Sequence, residues 1–149
     1  MSTAHQFCTF HLKDYLFGIE VCTVQEVIRY QAMTPVPLAP AMVHGLINLR
    51  GQIVTAIDLR QRLELPPRTG DHLPTNVIVR TPDGAVSLLI DEIGEVVEVD
   101  PAAFEPPPET LDGAARQAVS GVYKLAHRLL LVLDVARAVS VPTLSTNHP

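Results

Sequence analysis

The sequence predicts an all-β protein with a few very short helices, and three observations carry that reading. Short segments of alternating apolar and polar residues recur along the chain, separated by Gly, Pro, Asn and Asp turn signals. Parallel α/β folds need long crossover helices between strands, and no stretch shows such a pattern. Of 149 residues, 47% are hydrophobic and 18% charged, a composition that can bury one compact core or the shared core of two small subdomains. The pattern gives about eight to ten short strands, which fit a pair of small closed barrels or a sandwich.

The first hairpin joins Phe7–Leu12 to Leu16–Val21 around Lys13-Asp14. A tight turn there sets Leu12 opposite Tyr15, Phe10 opposite Phe17 and Cys8 opposite Ile19. One apolar face then holds Cys8, Phe10, Leu12, Phe17, Ile19 and Val21, with Cys22 on the other face, which argues against a disulfide. Thr23 to Arg29 reads either as a short helix, with Thr23 and Glu26 as a capping box, or as a strand. Pro35, Pro37 and Pro40 impose an irregular connection. A second hairpin pairs Gly45–Leu49 with Gln52–Ile57 across Arg50-Gly51, where Gly51 supplies the positive φ of a tight turn. Asp58 caps a short helix with Leu59 and Leu63 on one face.

Pro66 to Pro74 is a surface loop and an expected subdomain boundary. Strands follow at Asn76–Thr81, Ala85–Ile90 and Glu95–Val99, and Pro101 to Gly113 is irregular. Val119–Leu125 and Arg128–Leu133 form a last hairpin, after which Asp134 caps a final helix reaching Val139.

Charge narrows the function. The net charge is −5, the opposite of the basic stripe a nucleic-acid binder needs, and no Trp and few Phe or Tyr offer base-stacking platforms. Asp83, Asp91, Glu92, Glu95, Glu98, Asp100, Glu105, Glu109 and Asp112 fall in Thr81–Ala115 with no Lys or Arg among them. That run is either a solvated acidic face or an electrostatic docking surface. No apolar segment approaches membrane-spanning length and no secretory leader is expected, so a cytoplasmic protein with reduced thiols is the reading.

Catalytic motifs are missing: no GxSxG, no phosphate-binding loop, no GxGxxG ahead of a helix. Scattered histidines and two cysteines lack metal spacing, so neither metal nor cofactor is expected. The acids of Glu95–Asp100 alternate with valines as on a solvent face, not in the sheltered pocket that acid–base chemistry requires. A binding module is left. Arg50 projects from a hairpin tip, and Glu26 is the acid expected to pair with it, leaving spare guanidinium donors for a partner. The alternative is an exposed turn arginine.

At these residues the sequence resembles the CheW family of chemotaxis coupling proteins. The resemblance spans Gln6 to Val139 and is carried by Tyr15-Leu16-Phe17-Gly18-Ile19-Glu20-Val21, Val24-Gln25-Glu26-Val27, Gly45 to Val54 with Ile57-Asp58-Leu59, Leu88 to Ile93, and Leu129 to Asp134. It implies two five-stranded, SH3-like β-barrel subdomains around a shared hydrophobic seam: a single domain over 6–139, barrels near 15–73 and 75–133, terminal elements free to cross between them, and flexible tails at 1–5 and 142–149. It implies a non-catalytic adaptor that binds the regulatory domain of the histidine kinase CheA and the cytoplasmic tip of methyl-accepting chemoreceptors in membrane-associated arrays. Other CheW-like proteins are further candidate partners, and a twitching-motility or other chemosensory pathway is an alternative setting. Glu26, Gly45, Asn48, Arg50 and Gly51 match the family's motif positions. Val24, Val27, Ile53, Ile78 and Leu89 are the candidate apolar contacts, and core packing is expected to claim half of them. Two positions depart from the family pattern: Ser87 stands where a glycine-like residue is expected, and Glu92 where a small residue is usual.

Overall fold

The opening hairpin forms in the register that the alternation dictates. In the computed structural model, which describes residues 5–111 and 113–140, β1 (His5–Leu12) pairs with β2 (Tyr15–Glu20). Leu12 lies opposite Tyr15, Phe10 opposite Phe17, and Cys8 opposite Ile19. Val21 leaves the strand for a 3₁₀ turn over Val21–Thr23 and is exposed. The segment after it is a strand, β3 (Val24–Ile28), so the helical alternative fails. Its β-branched residues pair with β6 (Thr75–Thr81), and that ladder outweighs one capping box. The remaining strands are β4 (Val43–Leu49), β5 (Gln52–Asp58), β7 (Gly84–Ile90), β8 (Glu92–Val99), β9 (Val119–Lys124) and β10 (Leu129–Leu133).

Helix α1 (Leu59–Arg62) starts at Asp58, whose carboxylate accepts the Arg60 N–H at 3.0 Å. Helix α3 (Val135–Val139) starts at Asp134 in the same way, with the Arg137 N–H at 3.1 Å. A further helix, α2 (Gly113–Ala118), carries no strong sequence signal; Ala115 and Ala118 turn inward.

The strands build two five-stranded sheets. The terminal sheet has the order β8-β1-β2-β10-β9, and the inserted sheet β3-β6-β7-β5-β4. Both repeat one scheme: antiparallel, antiparallel, parallel, antiparallel. Strand pairing therefore divides the chain differently from 15–73 and 75–133. The inserted sheet is one continuous run, Val24–Ile90, and the terminal sheet takes the strands on both sides of it. The Pro66–Pro74 loop is no boundary, because β6 and β7 beyond it join β3 and β5. Of the expected tails, His5 belongs to β1, and 1–4 and 142–149 lie outside the described residues.

Neither sheet closes into a barrel through a ladder among the described residues. Proline-rich segments take the outer edges instead: Thr34 bridges Leu46 on β4, and Glu105 bridges Val122 on β9. Pro cannot extend a ladder, so each segment makes one bridge and leaves.

One core is shared and two are private. Phe10, Leu12, Phe17 and Ile19 meet Ile57, Leu88, Val77 and Val79 in a seam between the sheets. Phe7, Leu16, Tyr123, Leu130 and Val132 pack within the terminal sheet, and Ile47, Leu49, Val54 and Ile78 within the inserted one. Ser87 is explained here: its hydroxyl donates to Asn76 Oδ1 at 2.7 Å, and Asn76 Nδ2 donates to Arg29 O at 3.2 Å. This buried chain ties the exit of β3 to β6 and β7.

Candidate functional site

The hairpin of β4 and β5 builds the site from its turn outward. Arg50 (φ 52°) and Gly51 (φ 87°) both take positive φ, the signature of a tight two-residue turn. Asn48 fixes it: its Oδ1 accepts the Gly51 N–H at 2.8 Å. Conformation alone demands glycine at 51, since an added Cβ would meet nothing. Gly45 has a different task. A Cβ there would sit 2.8 Å from Thr34 O, so the glycine admits the segment covering β4.

Glu26 of β3 and Arg50 lie at opposite edges of the inserted sheet, and the sheet curls until they meet. Arg50 Nη1 donates to Glu26 Oε1 at 3.2 Å, and Nη2 donates to Oε2. The fork-to-fork pair fixes orientation as well as contact. It holds the Glu26 carboxyl below its usual range and the guanidinium above its own, chiefly through the shared hydrogen bonds. Because Glu26 stands opposite Ile78 in the ladder, the pair spans the mouth of the private core.

Arg50 stands apart from other arginines of the fold. Arg62, Arg68, Arg80, Arg116, Arg128 and Arg137 each donate to backbone carbonyls and staple one stretch of chain to another. Among the described residues the Arg50 guanidinium bonds to no backbone carbonyl; its fork goes to the Glu26 carboxylate alone, and 67% of its side chain is exposed. Its remaining donors face solvent.

Apolar residues flank the tip. Ile53 is 62% exposed and Val27 40%. Directly opposed residues share a face, so Ile53 lies beside Asn48, Thr55 beside Leu46 and Val86, and Ile57 beside Leu88. That face runs from the seam core out to solvent. Leu46 and Val86 lie half-buried on it, Val86 packed against the seam core. Val24 packs half-buried against the seam. Ile78 and Leu89 must be corrected: both are completely buried, so they support the surface and do not touch a partner. Their alternation fits core and contact equally well, and only sheet curvature separates the two.

Fold and tip define a small two-sheet β module with a charge-clasped hairpin presented to solvent. The chain belongs to the CheW family: the model of the CheW-like domain matches residues 6–142. The chemotaxis protein CheW of Treponema pallidum is 34% identical over 139 residues, covering 91% of this chain and 82% of that protein. That of Bacillus subtilis is 28% identical over 134 residues, covering 90% and 86%. The solved structure of the scaffolding protein TtCheW from Thermoanaerobacter tengcongensis superposes with a TM-score of 0.79 at 28% identity, covering 88% of this chain and 89% of that one. This is a family of chemotaxis scaffolds. No helix among the described residues is long and apolar enough to cross a membrane.

Proposed function

We propose that this chain is a non-catalytic cytoplasmic adaptor that links methyl-accepting chemoreceptors to the histidine kinase CheA in membrane-associated arrays. The reading rests on family membership together with one observation: the Glu26–Arg50 tip, held rigid by Asn48 and flanked by exposed Ile53 and Val27. A fixed guanidinium beside apolar side chains is the composition of a protein-docking hot spot. Arg50, Asn48, Ile53 and Val27 touch the partner; Gly45, Gly51 and Val24 hold the surface in shape.

Co-sedimentation of the protein with a receptor-tip fragment and with the CheA regulatory domain tests it. Wild type binds both, and Arg50→Ala, still folded by circular dichroism, weakens at least one by about tenfold or more. Failure of wild type to bind either at tens of micromolar concentration defeats the adaptor reading. Unaltered binding by Arg50→Ala defeats the placement of the site.

A further inference from the structure

Among the described residues the chain passes between the two sheets at only two places, Val21–Thr23 and Asp91. The first crossing is largely exposed, and among the described residues its side-chain ties run to the inserted sheet alone: Arg80 on β6 donates to Cys22 O and Val24 O. The second is built differently. The Asp91 carboxylate accepts the Lys13 N–H of the terminal sheet's hairpin turn at 2.8 Å. It also accepts Arg60 Nε of α1 at 2.9 Å and its Nη2, and Arg68 Nε stands 2.9 Å away. All three charged side chains are largely shielded, at 13–14% exposure. The Asp91 N–H donates to His11 O on β1. Two residues along α1 from Arg60, Arg62 sends Nε to Ala138 O and Nη2 to Arg137 O, gripping the carbonyl end of α3 beyond β10. Just before and just past these arginines, Leu59 and Leu63 plunge into the seam.

We infer that α1 is a latch that sets the mutual angle of the two sheets, with Asp91 and the α3 carbonyls as its two catches. The physical case rests on direction. The hydrophobic gain of the seam is non-directional and scales with buried area, so it sets the angle less sharply than directed bonds do. Forked, charge-assisted hydrogen bonds hold a fixed geometry. Arg60 and Arg62 reach the terminal half of the chain at two separate points, and two points fix a rotation that one leaves free. Each sheet also has its own private core, so releasing the latch frees the angle and leaves both sheets assembled.

Spin-label distances in the full chain test this. In a Cys8→Ala, Cys22→Ser background, labels at Ala126→Cys and Asp83→Cys span the two sheets. Labels at Gln52→Cys and Asp83→Cys stay within the inserted one. Asp91→Asn combined with Arg62→Gln is expected to roughly double the width of the inter-sheet distribution while the intra-sheet distribution keeps its width. Should the double variant fail to fold, Arg62→Gln alone opens one catch and is expected to broaden the same distribution to a lesser degree. An unchanged inter-sheet width in the folded variants overturns the latch, because the seam then fixes the angle alone. Equal broadening within and between sheets also overturns it, because that is general loosening.

Discussion

The terminal and inserted sheets share a pairing scheme and differ at the mouth of the private core. In the inserted sheet Glu26, opposite Ile78, reaches Arg50 at the hairpin tip. In the terminal sheet the matching place on β8 is Val97, opposite Phe7, and it packs with Leu125 against the private core. One mouth is sealed by hydrocarbon and the other clasped by an exposed ion pair. Exposed pairs contribute little to folding, and the hydrocarbon seal shows that the frame does not need one. The contrast separates the side chains that hold the fold from the side chains proposed to face a partner.

Four measurements can break or sharpen the comparison. The largest effect falls on the hydrocarbon side: Phe7→Ala is expected to cost about 3–5 kcal/mol in urea unfolding, since it empties the centre of a private core. A cost below about 1 kcal/mol would show that the terminal sheet has no core of its own. Next comes the edge cover. Gly121 is the terminal counterpart of Gly45, and a Cβ there would meet the Phe104 ring and come within 2.6 Å of Glu105 O. Gly121→Ala is expected to cost about 1–3 kcal/mol, and Gly45→Ala, with 2.8 Å to Thr34 O, somewhat less. If both are neutral, the covering segments are loose.

Third is pH. Burial alone would raise the Asp91 carboxyl, but the Arg60 fork, the Lys13 N–H and the arginine charges outweigh it and hold it below its ordinary range. A carboxyl lowered in the folded state stabilises above its unfolded pKa of about 3.9, and that contribution is lost as pH falls through the folded value. The melting temperature of wild type should therefore exceed that of Asp91→Asn at neutral pH, and the gap should close in acid. A constant gap would mean that the charge contributes nothing. The smallest effect on folding belongs to the clasp. Glu26→Val with Arg50→Leu gives the inserted sheet a hydrocarbon mouth. It should melt close to wild type while losing receptor or kinase binding. Marked destabilisation would make the pair a structural element.

Much of this was legible in the residues. The Phe7–Leu12 hairpin and its register, the Arg50-Gly51 turn and the Asp58 and Asp134 caps follow from alternation, glycine φ and side-chain acceptors, all local causes. The Glu26–Arg50 pair was legible for a different reason, being the one acid and the one turn arginine that the expected strands could bring together. Ile78 and Leu89 were misplaced because period-two alternation gives the face of a strand without saying which face another sheet covers. Thr23–Arg29 stayed ambiguous because the capping signal was local and the deciding ladder with β6 was not.

The sequence by itself determined most of the elements, the turn, the caps and the polarity of the tip, since each depends on neighbours a few residues away. Tertiary structure decided the rest. It placed Val24–Ile90 as one sheet inside the other, left the barrels open under proline-rich covers, and gathered Lys13, Arg60, Arg68 and Asp91 into one node. Those outcomes depend on contacts between residues far apart in the chain, whose loop-closure cost and packing return no local pattern records.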